Sequence, residues 1–103
     1  MCIRDRVWAL GNRPDLHGVL HWTDAGVASW YDFAVAIAEE AFAAGRLDSM
    51  PTVLPIATRD YPTAARRPAF SVLDSSATRA ALGLQAVHWR ERLRAIIQEI
   101  PIA

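Results

Sequence analysis

Residues Tyr61–Asp74 read YPTAARRPAFSVLD, and here residue types and spacing fit a recognisable chemistry best. Arg66 and Arg67 place two guanidinium groups side by side between Pro62 and Pro68. The prolines fix φ and remove backbone donors, so the stretch is neither a helix interior nor a central strand. It reads as an ordered or extended loop. A guanidinium is planar, permanently charged and suited to two-pronged contact with phosphate. Tyr61 and Phe70 add ring faces beside it. The set suits an anionic ligand with a flat or sugar-like part. The competing reading is a surface connector whose charges are merely solvated.

Other groupings carry less. His17 and His21 are four apart on a predicted strand or its approach, with no Cys or nearby carboxylate to complete a ligand set. They read as partly buried histidines rather than a metal site. Glu39 and Glu40 are neighbours on a predicted helix, so they diverge and make a poor acid/base pair. Ser29, Ser71, Ser75 and Ser76 fall at caps or strand ends, and none has the strand–turn–helix G-x-S-x-G setting of a nucleophile. No catalytic, cofactor-binding or metal-binding residue is assigned. Trp30, on the first turn of a helix, is either core packing or the wall of a ligand site, since a helix N-terminus attracts anions. Trp89 reads as core.

Composition narrows the field. The chain of 103 residues suffices for one small domain, and its 52% apolar content makes it globular. With zero formal net charge and dispersed basic residues, no nucleic-acid groove is expected. No apolar run approaches membrane-spanning length, and no signal peptide is visible. The lone Cys2 excludes an internal disulfide framework and fits a reducing, cytoplasmic setting. All 11 basic residues are arginine; there is no lysine. The five glycines are scattered. So a lysine Schiff base, a P-loop, a Tyr-x-x-x-Lys pair and a dinucleotide fingerprint are all absent from these residues.

The elements that must hold these groups follow from pattern. Val7–Leu10 reads as the end of a helix stopping near Gly11 or Asn12. Gly18–Thr23 (GVLHWT) and Thr52–Ala57 (TVLPIA) read as strands, the second an edge strand because of Pro55. Between them lies the clearest helix. Ser29 caps it with Asp32 as box partner, and Gly45 stops it. Trp30, Phe33, Ile37 and Ala41 form its predicted apolar face, with Glu39 and Glu40 on the solvated side. Ser71–Leu73 is a short extended piece. Asp74 caps a brief helix over Ser75–Leu82, ended by Gly83. A last helix runs from about His88 to Ile100. Trp89, Leu93, Ile96, Ile97 and Ile100 share its stripe, and arginines lie opposite. Strands interleaved with helices give an α/β class, too sparse for a whole doubly wound sheet.

Residues 1–6 (MCIRDR) look foreign and match the translation of a sequencing-transposon end. They are expected to be an adapter-derived, non-native leader and are set aside from the fold.

The segments HWTDAGVASWYDFAVAIAEEA, PIATRDYPTAARRPAFSVLDSSATRAALG and HWRERLRAII together resemble the C-terminal part of the dTDP-4-dehydrorhamnose reductases. These belong to the extended short-chain dehydrogenase/reductase superfamily. The resemblance spans roughly residues 7–100, and Y-P-T-x-A-x-R-P followed by S-x-L-D is its most specific part. It implies that residues 7–103 are the substrate-binding portion of an NAD(P)-binding Rossmann-like enzyme whose cofactor half is missing. That enzyme reduces the 4-keto group of a dTDP-linked deoxyhexulose to give dTDP-L-rhamnose. NADPH, bound by the missing half, is the hydride donor. By position, Arg67 and Pro68 match the family's R-P pair, Tyr61–Thr63 its Y-P-T, and Trp30 the tryptophan after the strand. Ala64 replaces a common second proline and loosens the loop. The expected substrate-binding residues are thus Arg67, then Tyr61 and Arg66, then Trp30. The expected partner is a dTDP-sugar, with neither nucleic acid nor membrane, and a homodimer is one assembly open to the parent enzyme. Three alternatives stay open. One is a fragment of another nucleotide-sugar epimerase or dehydratase. Another is a non-catalytic regulatory subunit of methionine adenosyltransferase. The third is a stand-alone helical interaction domain. By itself the fragment is expected to be inactive and to expose apolar surface.

Overall fold

The computed structural model describes residues 3–101. Among them the elements are α1 (Ile3–Gly11), α2 (Trp30–Ala43), a 3₁₀ turn (Thr58–Asp60), α3 (Ser76–Leu82) and α4 (Trp89–Glu99). They form two compact units, one of residues up to Asp24 with Val72–Ala86, the other of Ala25–Ser71 with the residues from Val87 on.

The first unit holds α1 and α3. α1 begins at Ile3, so residues 3–6, set aside above, are folded as its first turn. Arg6 is buried, with its guanidinium 3.9 Å over the Trp22 ring. That stacking suits a weakly hydrated planar cation. Arg13 holds Asp15 through two nitrogen–oxygen contacts of 3.1 and 3.0 Å. It also donates to the Ala81 carbonyl at 2.8 Å, near the end of α3 where carbonyls lack helical partners. Asp74 accepts from the Ser76 amide at 2.9 Å and so supplies the expected cap, although Ser75 is the residue flanking the helix. Gly83 ends α3 with φ +65°.

The second unit holds α2 and α4. The predicted start of α2 is met in full. Ser29 Oγ accepts from the Asp32 amide at 3.0 Å, and the Asp32 carboxylate accepts from the Ser29 amide at 2.9 Å. Donation from the Ser29 amide, first among the causes, holds the Asp32 carboxyl below its ordinary range. Gly45 follows the end of α2 at φ +73°. His88 caps α4, its Nδ1 accepting from the Arg90 amide at 3.1 Å.

The helix faces need correction. α4 buries Leu93 and Ile97 as expected, with Trp89 packed beside them, but Ile96 and Ile100 are exposed. On α2 the buried positions are Ala36, Ala38 and Glu40, while Trp30 and Ile37 are exposed. The face toward α4 therefore runs Phe33–Ala36–Glu40, spaced three and four apart; of the predicted stripe, Phe33 meets Trp89 and Ala41 packs against the core, while Trp30 and Ile37 do not. Ala36, fully buried, lets the two helix backbones approach closely.

The strands are not formed. Gly18–Thr23 and Thr52–Ala57 are irregular, and among the described residues there is only one isolated parallel bridge, Ala25 to His88. It is made by Ala25 N–H to Val87 C=O and Trp89 N–H to Ala25 C=O, both 3.0 Å. A strand exists only through a laddered neighbour, and none of these segments has one. The α/β class is thus not met within these residues, which are helical and irregular. Many large apolar side chains are exposed, among them Trp8, Val19, Trp30, Leu54 and Phe70.

Candidate functional site

The Pro/Arg loop leaves the 3₁₀ turn, whose Asp60 carboxylate accepts from the Ala57 amide at 3.3 Å and whose Thr58 carbonyl accepts from Tyr61 N–H at 3.1 Å. Past Tyr61 the chain carries no regular structure until α3, as two prolines require. Within the loop Thr63 Oγ1 donates to the Ala65 carbonyl at 2.9 Å, a local turn that stiffens the approach to the arginines. Arg66 and Arg67 are both exposed, and among the described residues neither guanidinium has a hydrogen-bond or ion-pair partner. Tyr61 and Phe70 are exposed as well. The loop thus presents two uncommitted cations and two rings on a backbone of limited freedom. It is an open surface and not an enclosed pocket. A shallow depression of about 500 Å³ lies in the other unit, lined by Ser76, Arg79, Ala80, Leu84, Gln85 and Ala86, and holds none of the expected site residues.

Trp30 lies in the same compact unit as the loop and is 87% exposed. It is therefore not core. Its ring nevertheless has company: Phe33 meets it edge-on at 6.3 Å between centroids, and Trp89 meets Phe33 edge-on at 6.2 Å. His88 lies over Trp89 at 5.5 Å. Helical spacing of three puts Trp30 and Phe33 on one side of α2, and the predicted apolar face already groups them. The link to Trp89 depends on how α2 meets α4 and has no local signal.

A second charged cluster went unread in the sequence. Glu40 is buried between the helices and accepts from Arg90 Nε at 3.0 Å and from Arg94 Nε and Nη2 at 3.0 and 3.1 Å. Arg90 reaches Glu39 as well, at 2.8 Å. The bonds from Arg94, then those from Arg90, hold the Glu40 carboxyl below its ordinary range. With both carboxylate oxygens held by guanidinium groups, Glu40 is a tie between helices and not an acid or base for catalysis.

His17 is exposed, with Nδ1 3.3 Å from the Asp15 carbonyl, and no group of three or more metal-ligating side chains gathers among the described residues. No helix among them is long and apolar enough to cross a membrane. The residues present do not fit a nicotinamide dinucleotide. The chain has no lysine. Its positive-φ glycines, Gly18, Gly26, Gly45 and Gly83, are scattered singly and make no phosphate-cradling loop before a helix.

Two exposed and unpartnered guanidinium groups on a proline-bounded loop beside a helical pair make a surface suited to an anionic ligand. The family model of the RmlD substrate binding domain matches residues 4–102, and the chain belongs to that family. Among its relatives is a dTDP-4-dehydrorhamnose reductase of Aggregatibacter actinomycetemcomitans, 45% identical over 80 residues, which are 78% of this chain and 27% of the relative. The spore coat polysaccharide biosynthesis protein SpsK of Bacillus subtilis (strain 168) is 40% identical over 80% of this chain and 26% of its own length. A probable dTDP-4,6-dihydroxy-2-methyloxan-3-one 4-ketoreductase of Streptomyces antibioticus is 39% identical over 95% of this chain and 32% of its own. The chain thus spans about a third or less of the curated relatives it matches. None of these three names supports the epimerase, dehydratase or adenosyltransferase-subunit alternatives. No solved structure matches.

Proposed function

We propose that this chain is the nucleotide-sugar-binding portion of an NADPH-dependent reductase that converts dTDP-4-dehydro-L-rhamnose to dTDP-L-rhamnose in the cytoplasm. The observation that carries this reading is the pair of unpartnered guanidinium groups at Arg66 and Arg67, on the loop that bears the family's Y-P-T and R-P residues. Arg67 is the main contact to the diphosphate, Arg66 the second cation, and Tyr61 and Trp30 the flanking ring surfaces. The dinucleotide and the proton-transfer residues belong to the remainder of the parent enzyme, because this chain offers no lysine and no glycine loop for them. In that parent, Gly18–Thr23 and Thr52–Ala57 gain the strand neighbours they lack here, and the α/β class is then complete. Residues 1–6 remain proposed as adapter-derived; their codons test this.

The chemistry asked of these residues is binding and orientation. Two guanidinium groups on a diphosphate hold the nucleotide end of the substrate, and removing one weakens substrate and transition state alike. The test is kinetic. In a full-length enzyme carrying residues 7–103, Arg67→Ala raises KM for the dTDP-sugar by about tenfold or more, as loss of a charge-assisted bond requires, while kcat changes little. Unchanged kinetics would leave the loop a connector.

A further inference from the structure

We propose that the ring sequence Trp30–Phe33–Trp89–His88 is a braced platform that holds the Trp30 indole for stacking on the pyrimidine base of the nucleotide, with Phe33 as its positioning residue. The inference rests on the reading above, which supplies a nucleotide ligand, and assigns a part of that ligand to a particular surface.

Trp30, like Trp8, Val19, Leu54 and Phe70, is a large apolar side chain left open to water; what sets it apart is its place at the end of a line of ring contacts. It is nevertheless anchored. It is the first residue of a helix fixed by a reciprocal Ser29–Asp32 cap, which limits fraying of that turn. Phe33 presents to Trp30 at an interplanar angle of 67°, and Trp89 to Phe33 at 68°. Such edge-to-face contacts orient rings as well as bury them. The far end is fixed by backbone. Trp89 N–H donates to the Ala25 carbonyl, and His88 caps α4. Gly26, at φ +91°, lacks a Cβ where one would stand 2.5 Å from His88 Nε2 and 2.9 Å from Trp89 Cδ1. The chain of contacts thus runs from a backbone bridge to an exposed ring. A flat π surface of this kind takes a base by stacking, whereas a bare phosphate gains nothing from it.

The experiment titrates a full-length enzyme carrying residues 7–103, its cofactor site filled with NADPH, with dTDP, thymidine and inorganic pyrophosphate and follows the tryptophan indole N–H resonances by NMR. The expected result is that thymidine and dTDP shift the Trp30 signal and pyrophosphate does not. Trp30→Ala weakens dTDP about tenfold and leaves pyrophosphate unchanged. Phe33→Tyr keeps dTDP affinity, while Phe33→Leu, with a similar Tm, weakens it about threefold, because an apolar filler does not orient the indole. Equal dTDP affinity in wild type and Trp30→Ala overturns the platform. So does full retention in Phe33→Leu. Thymidine binding without pyrophosphate binding supports the platform and overturns the arginine reading instead. Absence of binding by all three overturns both.

Discussion

Arg90 and Arg94 share the buried carboxylate of Glu40 between two helices, whereas Arg66 and Arg67, in the same compact unit, meet no carboxylate among the described residues. The residue type is the same and the outcome opposite. The difference lies in backbone and neighbours. α4 presents Arg90 and Arg94 one turn apart toward an acidic position on α2, so their charge is cancelled locally. The loop separates its arginines from any acid by prolines and small residues, so their charge stays available. An arginine pair on a helix thus serves the fold here, and an arginine pair on a proline-bounded loop is left for a ligand.

The comparison can be broken most forcefully from beneath the helical pair. Ile97→Ala removes one of the few buried apolar side chains and should cost about 2–5 kcal/mol, read by chemical denaturation. A loss no larger than that of a surface variant would mean α2 and α4 do not depend on this contact.

The next effect is electrostatic. Glu40 has its native pKa lowered by Arg94 and Arg90, so the stability it contributes is complete above the ordinary carboxylate range. That stability is lost as pH falls through the depressed native value. Tm followed from about pH 7 to about pH 3 should fall at the acid end, and Glu40→Gln should lower Tm near neutrality and flatten the acid slope. Asp32 shifts in the same direction and leaves part of that slope in the variant. An unchanged slope in Glu40→Gln would remove the carboxylate from the comparison.

A smaller effect sharpens the local side. Ser29→Ala breaks the cap of α2 and should cost about 1 kcal/mol by denaturant midpoint. The smallest is the most telling: Arg67→Ala should change stability by no more than about 0.5 kcal/mol in the same measurement, since nothing in the fold holds that side chain. A large loss would mean the loop arginines hold the fold like their helical counterparts.

What the sequence made legible divides along the range of the forces. The cap at Ser29 with Asp32 and the left-handed stops at Gly45 and Gly83 involve residues within a few positions of one another, and all are present. The strands over Gly18–Thr23 and Thr52–Ala57 require partners elsewhere in a chain, and composition cannot supply them. Glu40 looked solvated because its partners stand 50 and 54 positions away. The predicted stripe on α2 followed the largest side chains, whereas the helices met through the smallest, Ala36. Trp30 was legible as a tryptophan on a first turn but not as the open end of a line of rings. Arg66 and Arg67 were read from residue type and spacing, and the structure adds that neither is neutralised.

Gly26 sets a limit on how this chain can vary. A saturation library at that codon should yield almost a single tolerated letter, flanked by far more permissive neighbours, because any Cβ there would stand 2.5 Å from the His88 imidazole on a backbone with φ of +91°. Such a notch in a mutational profile would mark, in genetic terms alone, the point where the turn after Ala25 is wedged against the start of α4.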